Sequence, residues 1–291
     1  MENKWMQYLL VPVAAMVFGS ILSIGLASIH VTYVPSGPPF NQNNTVESGI
    51  YNVLIVIMLM IIMTGLIYAM VRYGKIRLFT AVKAALITIM VFSMILFFMG
   101  IFSYQYGVFL LYNAFIFYAL AIVVSAIIVY CALIREGVCS VVSITLYSSM
   151  AGTILSITFP PLTLLILPAA LAIYDIFMVY KGLLGKLVES NGNEEKREKR
   201  NILKGLMVDL GDLGIGVGDL VVYSMISSLD VISSIHYGSF AAFLTVLGSI
   251  VGVSIGFVLT IKVLLPKRGY APALPIPVAL GLIPFIITIL L

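Results

Sequence analysis

An aspartate at position 219 lies in an otherwise apolar stretch, at the end of Gly-Ile-Gly-Val-Gly-Asp. A carboxylate at membrane depth is costly, so it normally faces a cavity and has a function, although a satisfied structural acid or a proton relay is an alternative. The alternating glycines Gly214, Gly216 and Gly218 each weaken a helix by about 1 kcal/mol relative to alanine. They also permit close approach of another backbone. The pattern predicts partly unwound backbone lining a hydrated site.

A second acid, Asp175, lies in the apolar stretch 162–180. It precedes Lys181 by about six residues, which places it roughly 9 Å below the inner membrane face. Asp219 precedes Asp230, at the predicted outer end of its span, by about eleven residues, which leaves Asp219 roughly 13 Å from the inner face. Two apposed carboxyl groups at one level cannot both ionise in a low-dielectric site. The pair could therefore act as an aspartyl protease does, with one group taking a proton from water and the other polarising a peptide carbonyl; two unrelated relay acids are the alternative.

A proline segment, Pro-Ala-Leu-Pro-Ile-Pro from Pro272 to Pro277, is the third feature. Prolines remove helical hydrogen bonds, so the helix is predicted to begin near Val278. From there to Leu291 a helix covers roughly 21 Å, which is less than a hydrocarbon core of about 30 Å. The extended segment is predicted to enter the membrane to the level of the two acids, and an interfacial loop is the alternative.

Composition indicates the class of protein that must position these residues. The chain of 291 residues is 62% hydrophobic and only 10% charged, with a mean hydropathy of +1.15. These values exclude a soluble domain with a large core and predict a multi-pass membrane protein in contact with the lipid bilayer. The net charge of +4 is interpreted as topology information, and no nucleic-acid partner is expected. The two cysteines, Cys131 and Cys139, are expected to be free thiols.

Nine apolar segments are long enough to cross a membrane, which predicts an all-α polytopic fold. The predicted spans are 8–29, 51–71, 80–102, 106–134, 140–158, 162–180 with a kink or break near Pro168, 206–229, 239–265 and 271–291. With the amino terminus cytoplasmic, every basic residue falls inside or at an inner helix end, so the carboxyl terminus is extracytoplasmic. The chain is predicted to be a single domain, 1–291, in the cell membrane, with a charged cytoplasmic loop at 181–205.

Three motifs together resemble the presenilin and signal peptide peptidase family of GxGD intramembrane aspartyl proteases. They are Tyr174-Asp175 in the sixth span, Gly216-Val217-Gly218-Asp219 in the seventh, and Pro272-Ala273-Leu274 at the start of the ninth. The resemblance covers essentially the whole chain and is closer to presenilin, of the kind found in prokaryotes and archaea, than to signal peptide peptidase. The 181–205 loop is much shorter than in animal presenilins and lacks an evident apolar cleavage segment.

The resemblance implies that Asp175 and Asp219 are the catalytic pair. It implies that Tyr174, Gly216, Val217 and Gly218 belong to the active-site scaffold, and that Pro272, Ala273 and Leu274 shape the site and help to seat the substrate. No cofactor and no metal are implied. Asp209 and Asp212 are interpreted as residues at the mouth of the site.

These features predict an intramembrane aspartyl endopeptidase that hydrolyses peptide bonds within transmembrane segments of other proteins. The resemblance implies substrates with their amino terminus outside. A homo-oligomer is compatible with the sequence. One alternative is an ion-leak channel or transporter in which paired acids bind protons or cations, against which the lack of an internal repeat counts. Another is a prepilin-type GxGD peptidase, which leaves Tyr174-Asp175 and the proline segment unexplained.

Overall fold

The computed structural model describes residues 4–73, 75–105, 107, 113–181, 204–211, 213–265 and 271–290. Its helices and strands are α1 (Lys4–Ser28), α2 (Val46–Arg72), α3 (Ile76–Gln105), α4 (Ala114–Leu133), α5 (Val138–Thr158), α6 (Pro161–Lys181), β1 (Met207–Asp209), β2 (Gly214–Gly216), α7 (Val217–Ser234), α8 (Ser239–Leu259), α9 (Pro275–Gly281) and α10 (Ile283–Leu290). A 3-10 turn, Ile235–Tyr237, follows α7, and a π-helical turn, Thr260–Leu264, follows α8.

Within the described ranges, eight helices are long and apolar enough to cross a membrane. The ninth predicted span consists of the two short apolar helices α9 and α10. The all-α polytopic membrane fold predicted from the sequence is therefore confirmed. Most of the predicted charged loop, 182–203, lies outside the described residues.

The seventh span begins with non-helical backbone, as the glycine pattern predicts: Gly214–Gly216 is strand β2, and the helix begins at Val217. Strands β1 and β2 form an antiparallel ribbon in which Met207 pairs with Gly216 and Asp209 with Gly214. At the turn, the Asp209 side chain accepts a hydrogen bond from the Gly211 amide, and Gly211 adopts a φ of +88° that favours glycine. Local hydrogen bonding and glycine therefore stabilise a strand ribbon at the start of the predicted span.

Two proline predictions need correction. Helix α9 begins at Pro275 rather than near Val278, because proline is tolerated in the first helical turn, where its missing N–H would have no partner. Helix α6 is continuous from Pro161 to Lys181 with Pro168 inside it, which contradicts a break there, while a kink at Pro168 stays a prediction.

Helix α7 lies at the centre of the bundle, with 67% of its span buried compared with 17% for α2 and for α4. Small polar side chains join it to α1 and α5. The Ser227 hydroxyl donates to the Met16 carbonyl at 2.8 Å, and the hydroxyls of Thr153 and Ser228 lie 3.0 Å apart. Since lipid chains are as apolar as leucine, such close contacts between small residues drive helix association in membranes. They make α7 a rigid support for Asp219.

The cysteine expectation is wrong. Cys131 and Cys139 form a disulfide that closes the turn between α4 and α5, with Cα atoms 5.5 Å apart. That separation is within the usual range for a disulfide. The pairing depends on the hairpin bringing the two helix ends together, which cysteine spacing alone does not show.

Candidate active site

Asp219 lies in the first turn of α7, directly after β2. Gly216 is the residue that precedes the helix, and its extended backbone brings its N–H to face the Asp219 carboxyl group. This is the geometry of a capping box, in which the third helical residue reaches back to the amide before the helix. A Cβ atom added at Gly216 would lie 3.1 Å from Asp219 Oδ2, so glycine leaves room for the carboxyl group.

Asp175 lies in α6, half-buried, and is held by the proline segment. Its Oδ2 atom accepts a hydrogen bond from the Leu274 backbone N–H at 3.0 Å, and the Ala273 backbone N–H also faces the carboxyl group. The segment before α9 has no helical hydrogen bonds for these amides, which leaves them available to a side chain. The structure thus brings the proline segment to the level of Asp175.

The carboxyl groups of Asp175 and Asp219 lie close enough to interact electrostatically. They come from different elements, since α6 carries one and the start of α7 carries the other. Two carboxyl groups in this relation repel when both are ionised and titrate as a pair. The arrangement can hold one proton between two acids.

Tyr223, to which the sequence analysis gives no role, completes the arrangement. It is wholly buried in α7, one turn beyond Asp219, and interacts electrostatically with both acids. Its hydroxyl donates to the Ala273 carbonyl at 2.6 Å, so it ties α7 to the proline segment. In the sequence, Tyr223 follows Asp219 by four residues, a spacing that places both side chains on one face of a helix.

The remaining motif residues have different surroundings. The Tyr174 hydroxyl lies 3.2 Å from that of Thr64, which links α6 to α2 beside Asp175. The Val217 N–H donates to the Leu206 carbonyl at 3.0 Å and so extends the pairing of the strand ribbon. A Cβ atom at Gly218 would meet nothing within 4 Å, so no neighbour requires glycine there. Pro272 is buried.

A glycine stripe on α8 determines how closely the proline segment can approach. Gly248, Gly252 and Gly256 recur every four residues along one face. A Cβ atom at Gly256 would lie 2.5 Å from Pro277 Cα, and one at Gly252 would lie 2.5 Å from the Leu280 carbonyl oxygen. Small residues at this spacing allow helices to pack with their backbones in contact. The four-residue spacing of these glycines is visible in the sequence.

A small cavity of about 50 Å³ lies between β2, the end of α8 and the proline segment. Its lining includes Gly214, Ile215, Phe257, Thr260 and Ala273. It is large enough for a water molecule or a small apolar group.

Asp230 is not at an exposed outer end, as the sequence analysis assumes. It is wholly buried within α7, which continues to Ser234, and it faces Ser249 of α8. The depth estimate for Asp219 therefore starts from the wrong reference point. The electrostatic interaction between the two carboxyl groups, rather than that depth estimate, is the evidence that they lie near each other. Asp212 lies outside the described residues, and Asp209 is exposed.

Among the residues that the structure describes, no three His, Cys, Asp or Glu side chains form a group that could hold a metal ion.

The whole chain has the presenilin-like fold. It is similar to a structure of a presenilin family intramembrane aspartate protease in space group C222, with 17% identity, a TM-score of 0.62 and 98% of each chain covered. A structure of a presenilin family intramembrane aspartate protease in space group P2 has 20% identity and a TM-score of 0.58, with 96% of each chain covered. No protein-family model and no curated protein matches the sequence.

Replacement of Tyr223 by phenylalanine is expected to lower any activity of this site about tenfold. The change removes one buried hydrogen bond to Ala273, of the order of 1.4 kcal/mol, without removing the ring. Initial rates on a transmembrane substrate measure the effect. Tyr237→Phe is the matched control, because Tyr237 is exposed beyond the end of α7. Equal rates for Tyr223→Phe and wild type would show that the bond does not position the site.

Proposed function

We propose that this protein is an intramembrane aspartyl endopeptidase that hydrolyses peptide bonds within transmembrane segments of other membrane proteins. The observation that supports this most strongly is the electrostatic interaction between Asp175 and Asp219, with Asp175 held by the Leu274 amide. The presenilin-like fold is consistent with the same activity. The protein would lie in the cell membrane, with its amino terminus in the cytoplasm.

The reaction requires the two acids to carry one proton between them. The ionised carboxyl group takes a proton from water, and the water oxygen attacks the carbonyl carbon of the scissile peptide bond. The protonated carboxyl group donates a hydrogen bond to the carbonyl oxygen as negative charge develops there. When the carbon–nitrogen bond breaks, a proton passes to the leaving nitrogen. The chemistry is completed without a cofactor.

The substrate helix must unwind locally, since a carbonyl already bonded within a helix is not open to attack. Strand β2 pairs with β1 along one edge, at Ile215 with Val208. A substrate segment could add to the other edge of β2 as a further strand. One of its side chains would then fall near the cavity of about 50 Å³ beside Ala273. The lining is mostly apolar, which favours an apolar side chain.

Purified protein reconstituted in lipid vesicles with a single-span reporter tests the proposal. The expected result is two new fragments, whose ends mass spectrometry places within the transmembrane segment. Cuts confined to residues outside that segment, or intact substrate at every lipid composition tried, would overturn the assignment.

The orientation of the substrate provides a separate prediction. An active site is chiral, so a substrate strand that pairs with β2 must run in one direction. We expect a single-span substrate with its amino terminus outside to be cleaved several times faster than the same segment inserted in reverse. The expected cut lies in the inner half of the membrane. Vesicles that hold the substrate in each orientation, with fragment yields compared at equal loading, measure the ratio; equal yields would contradict strand-directed binding.

A further inference from the structure

Helix α3 carries a buried lysine, Lys83, about two turns from its start at Ile76. Its side chain is 6% exposed, and its Nζ atom donates a hydrogen bond to the Lys204 carbonyl at 2.8 Å. Lysine is almost never buried without a partner, and a charged group inside a membrane span is costly. The buried amine therefore holds a backbone group that is distant in the sequence.

The next carbonyl is held from a different helix. Tyr147 of α5 is 1% exposed, and its hydroxyl donates to the Gly205 carbonyl. Gly205 has a φ of +83°, and a Cβ atom there would lie 2.6 Å from Leu133 Cδ2. Two adjacent carbonyls are thus bound by α3 and α5 at a point where the positive φ of residue 205 would strain any residue other than glycine.

The Lys204 side chain contacts the turn between α4 and α5. Its Nζ atom donates to the Ile134 carbonyl at 3.1 Å and forms an ion pair with Glu136 at 2.9 Å. The bond to Lys204 keeps the pKa of the exposed Glu136 carboxyl below its usual value. Exposed ion pairs contribute little to stability, so the buried bonds of Lys83 and Tyr147 are the principal anchor.

The anchored residues lead directly into the strand ribbon. Leu206, which follows Gly205, accepts the Val217 amide, and the register continues with Met207 opposite Gly216. Asp219 lies in the first turn of α7, three residues after Gly216. A slip of one residue along a strand turns every side chain to the other face. The position of residues 204–205 therefore determines which face β2 presents beside Asp219.

We propose that Lys83 and Tyr147 are positioning residues for peptide hydrolysis, which hold the carbonyls of Lys204 and Gly205 and thereby set the register of the β1–β2 ribbon at the active site. The inference rests on the proposed function, because it assigns these residues an effect on cleavage. Neither side chain is required to touch the substrate. Their effect is transmitted by the backbone from residue 204 to residue 219.

Lys83→Met and Tyr147→Phe, singly and together, test this in the full-length protein. Lys83→Met keeps the length of the side chain, and Tyr147→Phe removes one oxygen atom, so the second variant stays informative if the first folds poorly. Lys75→Met and Tyr118→Phe are matched controls at exposed positions, the first just before α3 and the second on α4. Hydrogen exchange followed by mass spectrometry measures the amides of 206–217, and product mapping on the reporter measures the rate and the position of the cut.

We expect both variants to increase amide exchange in 206–217, to lower kcat tenfold or more with a smaller change in KM, and to spread the cut over neighbouring peptide bonds. The double variant should be less impaired than the product of the single effects, because both residues hold one segment. Unchanged exchange in both variants would overturn the anchor. Increased exchange with the wild-type rate and a single cut would overturn the positioning role.

The two proposals fail in different ways. A wild-type protein that cleaves no substrate overturns the proposed function and the positioning role with it, whereas the exchange data still decide whether Lys83 and Tyr147 hold the ribbon. An active wild type whose variants match the two controls overturns only the inference about these residues.

Discussion

Replacement of Asp175 or Asp219 by asparagine is expected to abolish peptide hydrolysis, with rates lower by about a thousandfold or more. A pair that lacks one carboxyl group cannot both accept the proton of water and polarise the carbonyl, and proton transfer of this kind contributes about 10²–10⁴ in rate. Asparagine keeps the shape of each side chain, and at position 175 its oxygen can still accept the Leu274 amide. The bundle should therefore fold as before. Fragment yields on the reporter substrate, at equal protein and substrate, measure the loss.

Asp209→Asn is the matched control for these variants. Asp209 is an exposed acid at the end of β1, and asparagine retains the oxygen that accepts the Gly211 amide. We expect it to keep most of the activity. Appreciable cleavage by either Asp175→Asn or Asp219→Asn would exclude the acid pair, and an Asp209→Asn protein as inactive as these would place the essential carboxyl group elsewhere.

Alanine at Gly256 is the second change expected to have a large effect. In an unobstructed helix this substitution is favourable by about 1 kcal/mol. At Gly256 the added Cβ atom would lie 2.5 Å from Pro277 Cα and 2.6 Å from its nitrogen, and backbone atoms cannot move aside as a flexible side chain can. Helix α9 must shift away from α8, and the Leu274 amide and the Ala273 carbonyl would move with it. We expect a loss of activity of about a hundredfold, since a misplacement of about 1 Å can have that effect.

Gly100→Ala in α3 and Gly65→Ala in α2 are the matched controls, because nothing lies within 4 Å of a Cβ atom at either position. They should leave activity unchanged and thermal stability equal or slightly higher. Thermal unfolding in detergent and reporter cleavage, measured on all three variants, separate the effects. A Gly256→Ala protein that behaves like the controls would show that the close approach of α8 and α9 does not position the site.

The sequence alone determined the class of protein and the residues most suited to chemistry. Long apolar stretches predict helices through length and hydropathy, which are local properties, and the eight long helices agree with them. Asp175 and Asp219 stand out because an acid is costly in an apolar span wherever the chain folds. The prolines from 272 to 277 predict backbone amides without helical hydrogen bonds, which is also a local property of the chain.

The tertiary structure decided which of these groups meet and what holds them. The bond from Tyr223 to Ala273 and the approach of Gly256 to Pro277 join elements that are distant along the chain, and no local pattern specifies such partners. The same holds for Lys83. In the sequence it is one of many basic residues predicted on the cytoplasmic side, whereas in the structure it binds the Lys204 carbonyl beside the strand ribbon. The alternating glycines predict unwound backbone before Asp219, but only the pairing of Leu206 with Val217 shows that this backbone forms a strand ribbon. Backbone groups inside a membrane must find partners, and packing of the whole bundle determines which partners are available.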